Sequence, residues 1–587
     1  MSKKGKLILA TAVFGTALFA ASCGGGGGGG TTAGTGTGGG GGGGGGGTPS
    51  PTEQGRVLAL LNVGTASAGT LNPVTICQLK SDNKAYCGND LNPNANVDLQ
   101  YVHEFPNGNV VLKDSYGKLY FFDGSQVKKL TTYRRLGGTS DINEPAGIAI
   151  PSGATYYATP NFVIMYDSSG KKLVAVSKDG KVIKEDSGVT SVKASCEVAT
   201  KGTDYKLNPD GSSSSTTIPT LLTSAGGKYL VQDASNNIYL SDSKCSASGV
   251  LVATLSSAAN DAKMVKVGND FYIAVRTNAS SENLKYYKVS GTTITDFTST
   301  STITLASSAN EYYYALDGNG RLYVITNDSS RPLKVYNTDG TLAYGTNVSV
   351  NGLLGLADRA LAKDSSSSEV YEITVTGHKN TGSTLFPVVD KCTDSGTKSI
   401  KGAGTNFVRC AHNNGLYILT FNSGDGTYSR AFDTSFTISD VKWATNKVLV
   451  KPSSGPIKLC NTNVGAISIS CSDTDLPTLD LSTLDPTGTS SDKYLKVNGN
   501  DVFYTSGSVL KVGNIFDPPS VLPITLSSPS RPSGGNASFD LNRFAFSFGP
   551  DFCRNQIIYF SSRTASPKTY TIAQPSNACV ARILKVY

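Results

Sequence analysis

Three histidines, His103, His378 and His412, are the only side chains of this sequence that titrate near neutrality without perturbation, and they lie far apart along it. A ring of strands could gather them at its axis as bases or metal ligands. The plainer reading, three separate loop or strand-end histidines, is the one expected. No His-Glu-x-x-His, no Gly-x-Ser-x-Gly and no Gly-x4-Gly-Lys-Ser/Thr occurs outside the N-terminal polyglycine, which matches any glycine template trivially. No catalytic residue is predicted, and no cofactor.

Two other groupings bear on binding. Asp473, Asp475 and Asp480, continuing to Asp485, follow directly after Cys471. Hard carboxylate oxygens suit Ca²⁺, and a disulfide beside them would hold the loop. The loop lacks the glycine and glutamate of an EF-hand, and a solvated acidic loop without an ion is the plainer alternative. Tyrosines recur in clusters: Tyr156-Tyr157, Tyr286-Tyr287 and Tyr312-Tyr313-Tyr314. Strand neighbours face opposite sides, so each cluster is expected to offer one ring inward and one outward. An outward ring could stack on sugar or peptide, or simply cover strand surface.

Eleven cysteines remain to be placed. Setting Cys23 aside leaves ten, with no Cys-x-x-Cys to suggest zinc. Their spacing falls into sequential neighbours: Cys77/Cys87, Cys196/Cys245, Cys392/Cys410, Cys460/Cys471 and Cys553/Cys579. Five local disulfides are expected, each restricting the unfolded chain by roughly 2–4 kcal/mol. Such a framework belongs to an exported protein.

The N-terminus agrees. Lys3, Lys4 and Lys6 precede an apolar run from Leu7 to Phe19, too short for a membrane span, which needs about 20 apolar residues. Leu18-Phe-Ala-Ala-Ser-Cys23 resembles the lipobox of bacterial lipoproteins. The resemblance implies a signal peptide over 1–22, lipidation of Cys23, and attachment to a membrane through that lipid. Gly24 stands where an aspartate favours inner-membrane retention in enteric members of that family, which implies the outer membrane or the cell surface. Residues 23–53, dominated by glycine, have nothing to bury and read as a disordered tether. Its root-mean-square reach is about 30 Å.

From Gln54 onward the composition is a strand-forming one: only 16% of the chain is charged, and Tyr 28 and Phe 21 stand against Trp 1 and Met 3. Removing the three leader lysines leaves 49 basic against 44 acidic residues, a formal +5 spread along the chain. Nucleic acid is not an expected partner. Short apolar runs flank Asn/Asp/Gly turns at Gly108–Phe122, Gly227–Leu240, Tyr313–Val324, Gly415–Leu419 and Gly499–Tyr504, a hairpin pattern. Leu353–Ala362 alone has a short helical period. Hairpins recurring at roughly 40–50 residues suggest the four-stranded blades of a β-propeller. Tyr313–Leu342 resembles the NHL type of propeller repeat, through its Asp-x-x-Gly-x-Leu-Tyr-Val hairpin and a later Val-Tyr-x-x-Asp-Gly.

The expected fold is therefore all-β, a propeller of seven or eight blades over 54–587, with Ser365–Asp390 and Ser472–Asp492 as insertions. Two propellers, a sandwich or a solenoid are the alternatives. Val580–Tyr587 and the strand near Val57 are expected to share one blade and close the edge. The functional expectation is a non-enzymatic, membrane-anchored module that binds protein or polysaccharide. A propeller hydrolase or lyase acting on extracellular polymers, or a periplasmic outer-membrane assembly factor, are the rivals.

Overall fold

A computed structural model of the chain describes residues 50–587 apart from 64–72, 93–96, 131–149, 151–153, 278–283, 307–309, 477–478, 482–494, 499, 507–508, 518–519, 526–536, 540–543, 547–555 and 562–564. Residues 1–49, which include the stretch read as a signal peptide, Cys23 and most of the stretch read as a tether, lie outside the described residues, as do Asp485 and Cys553.

Four strands, over and over, make the architecture. Ten sheets have four strands each in chain order, and an eleventh has eight. The eight-stranded sheet is two such units joined edge to edge, because Lys84–Cys87 pairs in parallel with Lys568–Gln574 while its other ladders are antiparallel. Twelve four-stranded blades result among the described residues. The first combines strands over 53–87 with the last strand, Ala578–Val586. The others follow at 100–129, 155–187, 191–215, 220–254, 259–296, 314–346, 350–380, 397–433, 438–473, 495–525 and 537–574. First strands of several consecutive blades lie against each other, as on the inner side of a propeller.

The all-β propeller class is as expected, but the blades outnumber the seven or eight predicted. Residues 365–390, read as an insertion, hold the outer strands Val370–Ile373 and His378–Asn380 of the eighth blade. Leu353–Ala362 is not helical. It forms the hairpin of Val350–Gly355 and Ala360–Asp364, and its residues alternate between two cores: Leu353, Ala360 and Ala362 to one side, Leu354, Leu356 and Leu361 to the other. A run apolar on both faces has helical spacing by accident. The one α-helix among the described residues, α1 (Phe386–Cys392), has Pro387 in its first turn and carries Val388, Val389 and Cys392 into the core.

Chain closure follows the expected route. Ala578–Val586 pairs antiparallel with Glu53–Val63, with Val57 opposite Val586 and Leu61 opposite Val580. Both faces of a blade are buried against neighbours. In the second blade Val110, Leu112, Tyr120 and Phe122 join Leu58 and Leu60 of the first, whereas Val111, Leu119 and Phe121 join Val163 and Met165 of the third. Period two thus sends alternate residues into different cores, each large apolar side chain contributing roughly 1.5–3 kcal/mol. The same geometry corrects the expectation for the tyrosine pairs. Tyr286 and Tyr287 are both buried, one in each flanking core, and Tyr312 and Tyr314 are buried as well. Only Tyr156 of these clusters presents an exposed ring.

The recurring hairpin has a shared turn mechanism. Asp114, Asp233 and Asp317 each accept from the backbone N–H groups two and four residues on, at 2.8–2.9 Å. The third residue after each aspartate, Gly117, Asn236 or Gly320, has positive φ, which is why Gly or Asn stands there. Four disulfides join Cys77 to Cys87, Cys196 to Cys245, Cys392 to Cys410 and Cys460 to Cys471. Cys579 is also disulfide-bonded. These bonds belong to a protein that matures outside the reducing cytosol. No helix among the described residues is long and apolar enough to cross a membrane.

Candidate functional site

The histidines are not brought together. His103 stands on the first strand of the second blade, its ring edge-on to Phe105 at 4.7 Å, and Nε2 finds no partner. Burial pushes its pKa down to about 4, so it is neutral at physiological pH. His378 opens the outermost strand of the eighth blade, exposed, with Nδ1 2.5 Å from the Tyr344 hydroxyl. His412 is buried in the ninth blade and has both ring nitrogens engaged. Asn414 N–H donates to Nδ1 at 3.0 Å, which leaves Nε2 to donate to Asp394 at 2.8 Å. A histidine whose base nitrogen already accepts a backbone N–H holds a turn; it is not poised to take a substrate proton.

The acidic stretch after Cys471 is also engaged. Asp473 pairs with Lys458 across two strands. Asp475 accepts from the Tyr504 hydroxyl at 2.6 Å and pairs with Lys511. Asp480 is half-buried one residue beyond the buried Leu479. Among the described residues no group of three or more His, Cys, Asp or Glu side chains is placed to hold a metal ion.

A concave site does form where the chain ends meet. An open pocket of about 550 Å³ is lined by Glu53, Gln54, Gly55, Arg56, Tyr559, Ser561 and Tyr587, within the size range of small-ligand sites. Two elements from opposite ends of the sequence build it: the first strand, and the C-terminal residue that follows its antiparallel partner. The third strand of the twelfth blade, Gln556–Phe560, supplies Tyr559. The Tyr559 ring lies directly on the Gly55 backbone, where an added Cβ would sit 2.6 Å from the ring. A larger residue there would displace the ring. Arg56 donates to Glu53, Nη2 to Oε2 at 3.0 Å, and this hydrogen bond holds its pKa above the ordinary value. Lys568 donates to Gln54 Oε1 at 3.1 Å.

Tyr587 supplies the unusual feature. Burial raises its phenol pKa to about 12, so the hydroxyl keeps its proton, and that hydroxyl is enclosed, with no hydrogen-bond partner among the described residues. What the pocket offers a ligand is the Tyr587 side chain beside the half-exposed Arg56–Glu53 pair, whose guanidinium can donate to a ligand hydroxyl and whose carboxylate can accept from one. None of these residues was singled out from the sequence. They are separated by some five hundred positions, and only the closing strand pair brings them together.

No protein-family model matches the chain, and no curated protein matches it. Solved structures similar to it include the computationally designed Ika8 protein (13% identity, 61% of this chain and 97% of that one, TM-score 0.27). Streptogramin B lyase is similar at 12% identity (52% and 93% covered, TM-score 0.24). Apo AztD from Citrobacter koseri is similar at 12% identity (73% and 94% covered, TM-score 0.26). The fold assignment rests on the strand pairing described above, and these likenesses add nothing about function.

Proposed function

We propose that this protein is a lipid-anchored, extracytoplasmic binding module without catalytic activity, which takes a protein or polysaccharide ligand in the pocket at its chain closure. The half-exposed Arg56–Glu53 pair beside the Tyr559 and Tyr587 side chains in the pocket is the observation that carries the reading. Tyrosine rings flanked by forked polar groups suit a sugar's alternation of apolar face and hydroxyl edge, which favours polysaccharide. The disulfides, together with the lipobox-like run ending at Cys23, support anchoring in the cell envelope, at the outer membrane or cell surface.

The anchor is tested by feeding expressing bacteria an alkyne-tagged fatty acid. The wild-type chain takes up label and sediments with membranes, while Cys23→Ala takes up none and appears in the soluble fraction. Equal labelling of both chains, or of neither, overturns the anchor. Protease shaving of intact cells then separates a surface-exposed domain, which is cut, from a periplasm-facing assembly factor, which is not.

A further inference from the structure

Glu53 and Arg56 stand three residues apart on one strand, Glu53–Val63. In a regular strand that spacing puts two side chains on opposite faces. The pairing register explains why these two meet. Glu53 stands opposite Lys80 and Gly55 opposite Leu79, so Gln54 is an extra residue, a β-bulge, and the alternation resumes one step late. Arg56 is opposite Gln78, and Gln78 lies two positions from Lys80, so Arg56 shares the face of Glu53. Gly55 is turned to the other face, where the Tyr559 ring lies on its backbone. One inserted residue thus aims both charged side chains and leaves room for the ring.

The pair is open to the pocket: the Arg56 side chain is 50% exposed and that of Glu53 35%. Two parallel bonds join them, Nε to Oε1 and Nη2 to Oε2. Among the described residues Nη1 has no further partner, and each carboxylate oxygen keeps a lone pair. A pair this exposed contributes little to folding; what the bulge provides is the juxtaposition of donors and acceptors. Two neighbouring hydroxyls of a sugar ring match it, one accepting from Nη1–H and the other donating to the carboxylate. The two charges cancel, and the other lining side chains, those of Gln54, Tyr559, Ser561 and Tyr587, are uncharged. An acidic sugar would set its carboxylate against Glu53, and an amino sugar its ammonium against Arg56.

We propose that the pocket at the chain closure takes a neutral sugar unit through two adjacent ring hydroxyls, one on Arg56 and one on Glu53. The inference rests on the reading of that pocket as a polysaccharide site, and it adds which sugars are admitted: neutral units with a free vicinal diol, and neither uronates nor amino sugars.

Cell-surface polysaccharide of the organism that makes the protein is prepared in three forms: native, with its carboxyl groups reduced to alcohols, and with its vicinal diols cleaved by mild periodate. Retention of the full chain is measured on each. Native and carboxyl-reduced polymer are expected to retain it equally, and periodate to lower retention about tenfold or more. Glu53→Gln gives the deciding sign. It keeps the size of an exposed side chain and removes the acceptor's charge, so binding of a neutral diol weakens about three- to tenfold, whereas binding of an acid would tighten. The proposal is overturned by unchanged or tighter retention of Glu53→Gln, by loss of retention on carboxyl reduction, or by retention that survives periodate. Where Arg56→Ala still weakens retention, each of these results leaves the pocket standing as the polysaccharide site and changes only the sugar it takes. Retention indifferent to Arg56→Ala, or no retention on native polymer, overturns the pocket reading together with the proposal.

Discussion

Deletion of residues 578–587 abolishes cooperative folding of the whole domain. Val580, Ile583, Leu584 and Val586 are each no more than 3% exposed, so their loss removes roughly 6–12 kcal/mol of apolar burial at about 1.5–3 kcal/mol apiece. That is comparable to the roughly 5–15 kcal/mol by which domains are typically stable. The deletion also uncovers the ladder edge of Glu53–Val63, whose Val57, Leu58, Ala59, Leu60 and Leu61 are buried, as a long apolar strand prone to aggregation. Thermal melts followed by circular dichroism should show no cooperative transition, and trypsin should degrade the truncated chain at room temperature. A truncated chain that melts cooperatively, near the wild-type temperature, would mean that chain closure does not hold the blades.

Asp317→Ala is expected to cost roughly 2–4 kcal/mol. The Asp317 side chain is fully buried in the turn of the seventh blade. It accepts from Asn319 N–H and Arg321 N–H at 2.9 Å and from the Tyr323 hydroxyl at 3.1 Å. Alanine strands these three donors at about 1–3 kcal/mol each, an effect partly offset because the native carboxylate is itself penalised. Burial outweighs those bonds and raises its pKa to about 6. The sign of the pH dependence follows. A carboxyl whose folded pKa lies above its unfolded 3.8 binds more protons folded, so this group adds stability as pH falls from about 6 towards 3.8. Chemical denaturation at pH 7 and pH 4.5 checks both points. Asp317→Asn, which keeps one oxygen for the two backbone donors, should cost less than alanine and lack that pH-dependent gain. An alanine variant as stable as wild type at pH 7 would contradict the turn mechanism.

The hairpins were legible because each carries its determinants within about fifteen residues. Asp114, Asp233 and Asp317 mark the turn, and Gly or Asn occupies the positive-φ position three residues later. Chain closure was legible for the same reason: Val580–Tyr587 reads as a strand with no partner nearby in sequence. Blade number was not, since strands such as His378–Asn380 are three exposed polar residues held only by pairing. Periodicity misled at Leu353–Ala362, and alternation misled at Tyr286-Tyr287, because stacking buries both faces of a blade and removes the polar side that alternation needs. Sites were the least legible. The wall of the pocket comes from Arg56, Tyr559 and Tyr587, which lie some five hundred positions apart and form no pattern along the chain.

The central claim is that the molecule binds without reacting, and one measurement addresses both halves. The full chain is incubated with cell-surface polysaccharide from the organism that makes it, and retention of the protein on the polymer is read alongside polymer length. Retention with length unchanged is expected, weakened up to about tenfold by Arg56→Ala, which removes the exposed guanidinium of the pocket. Shortening of the polymer, or retention indifferent to Arg56→Ala, would contradict a non-enzymatic module that binds through the pocket at its chain closure.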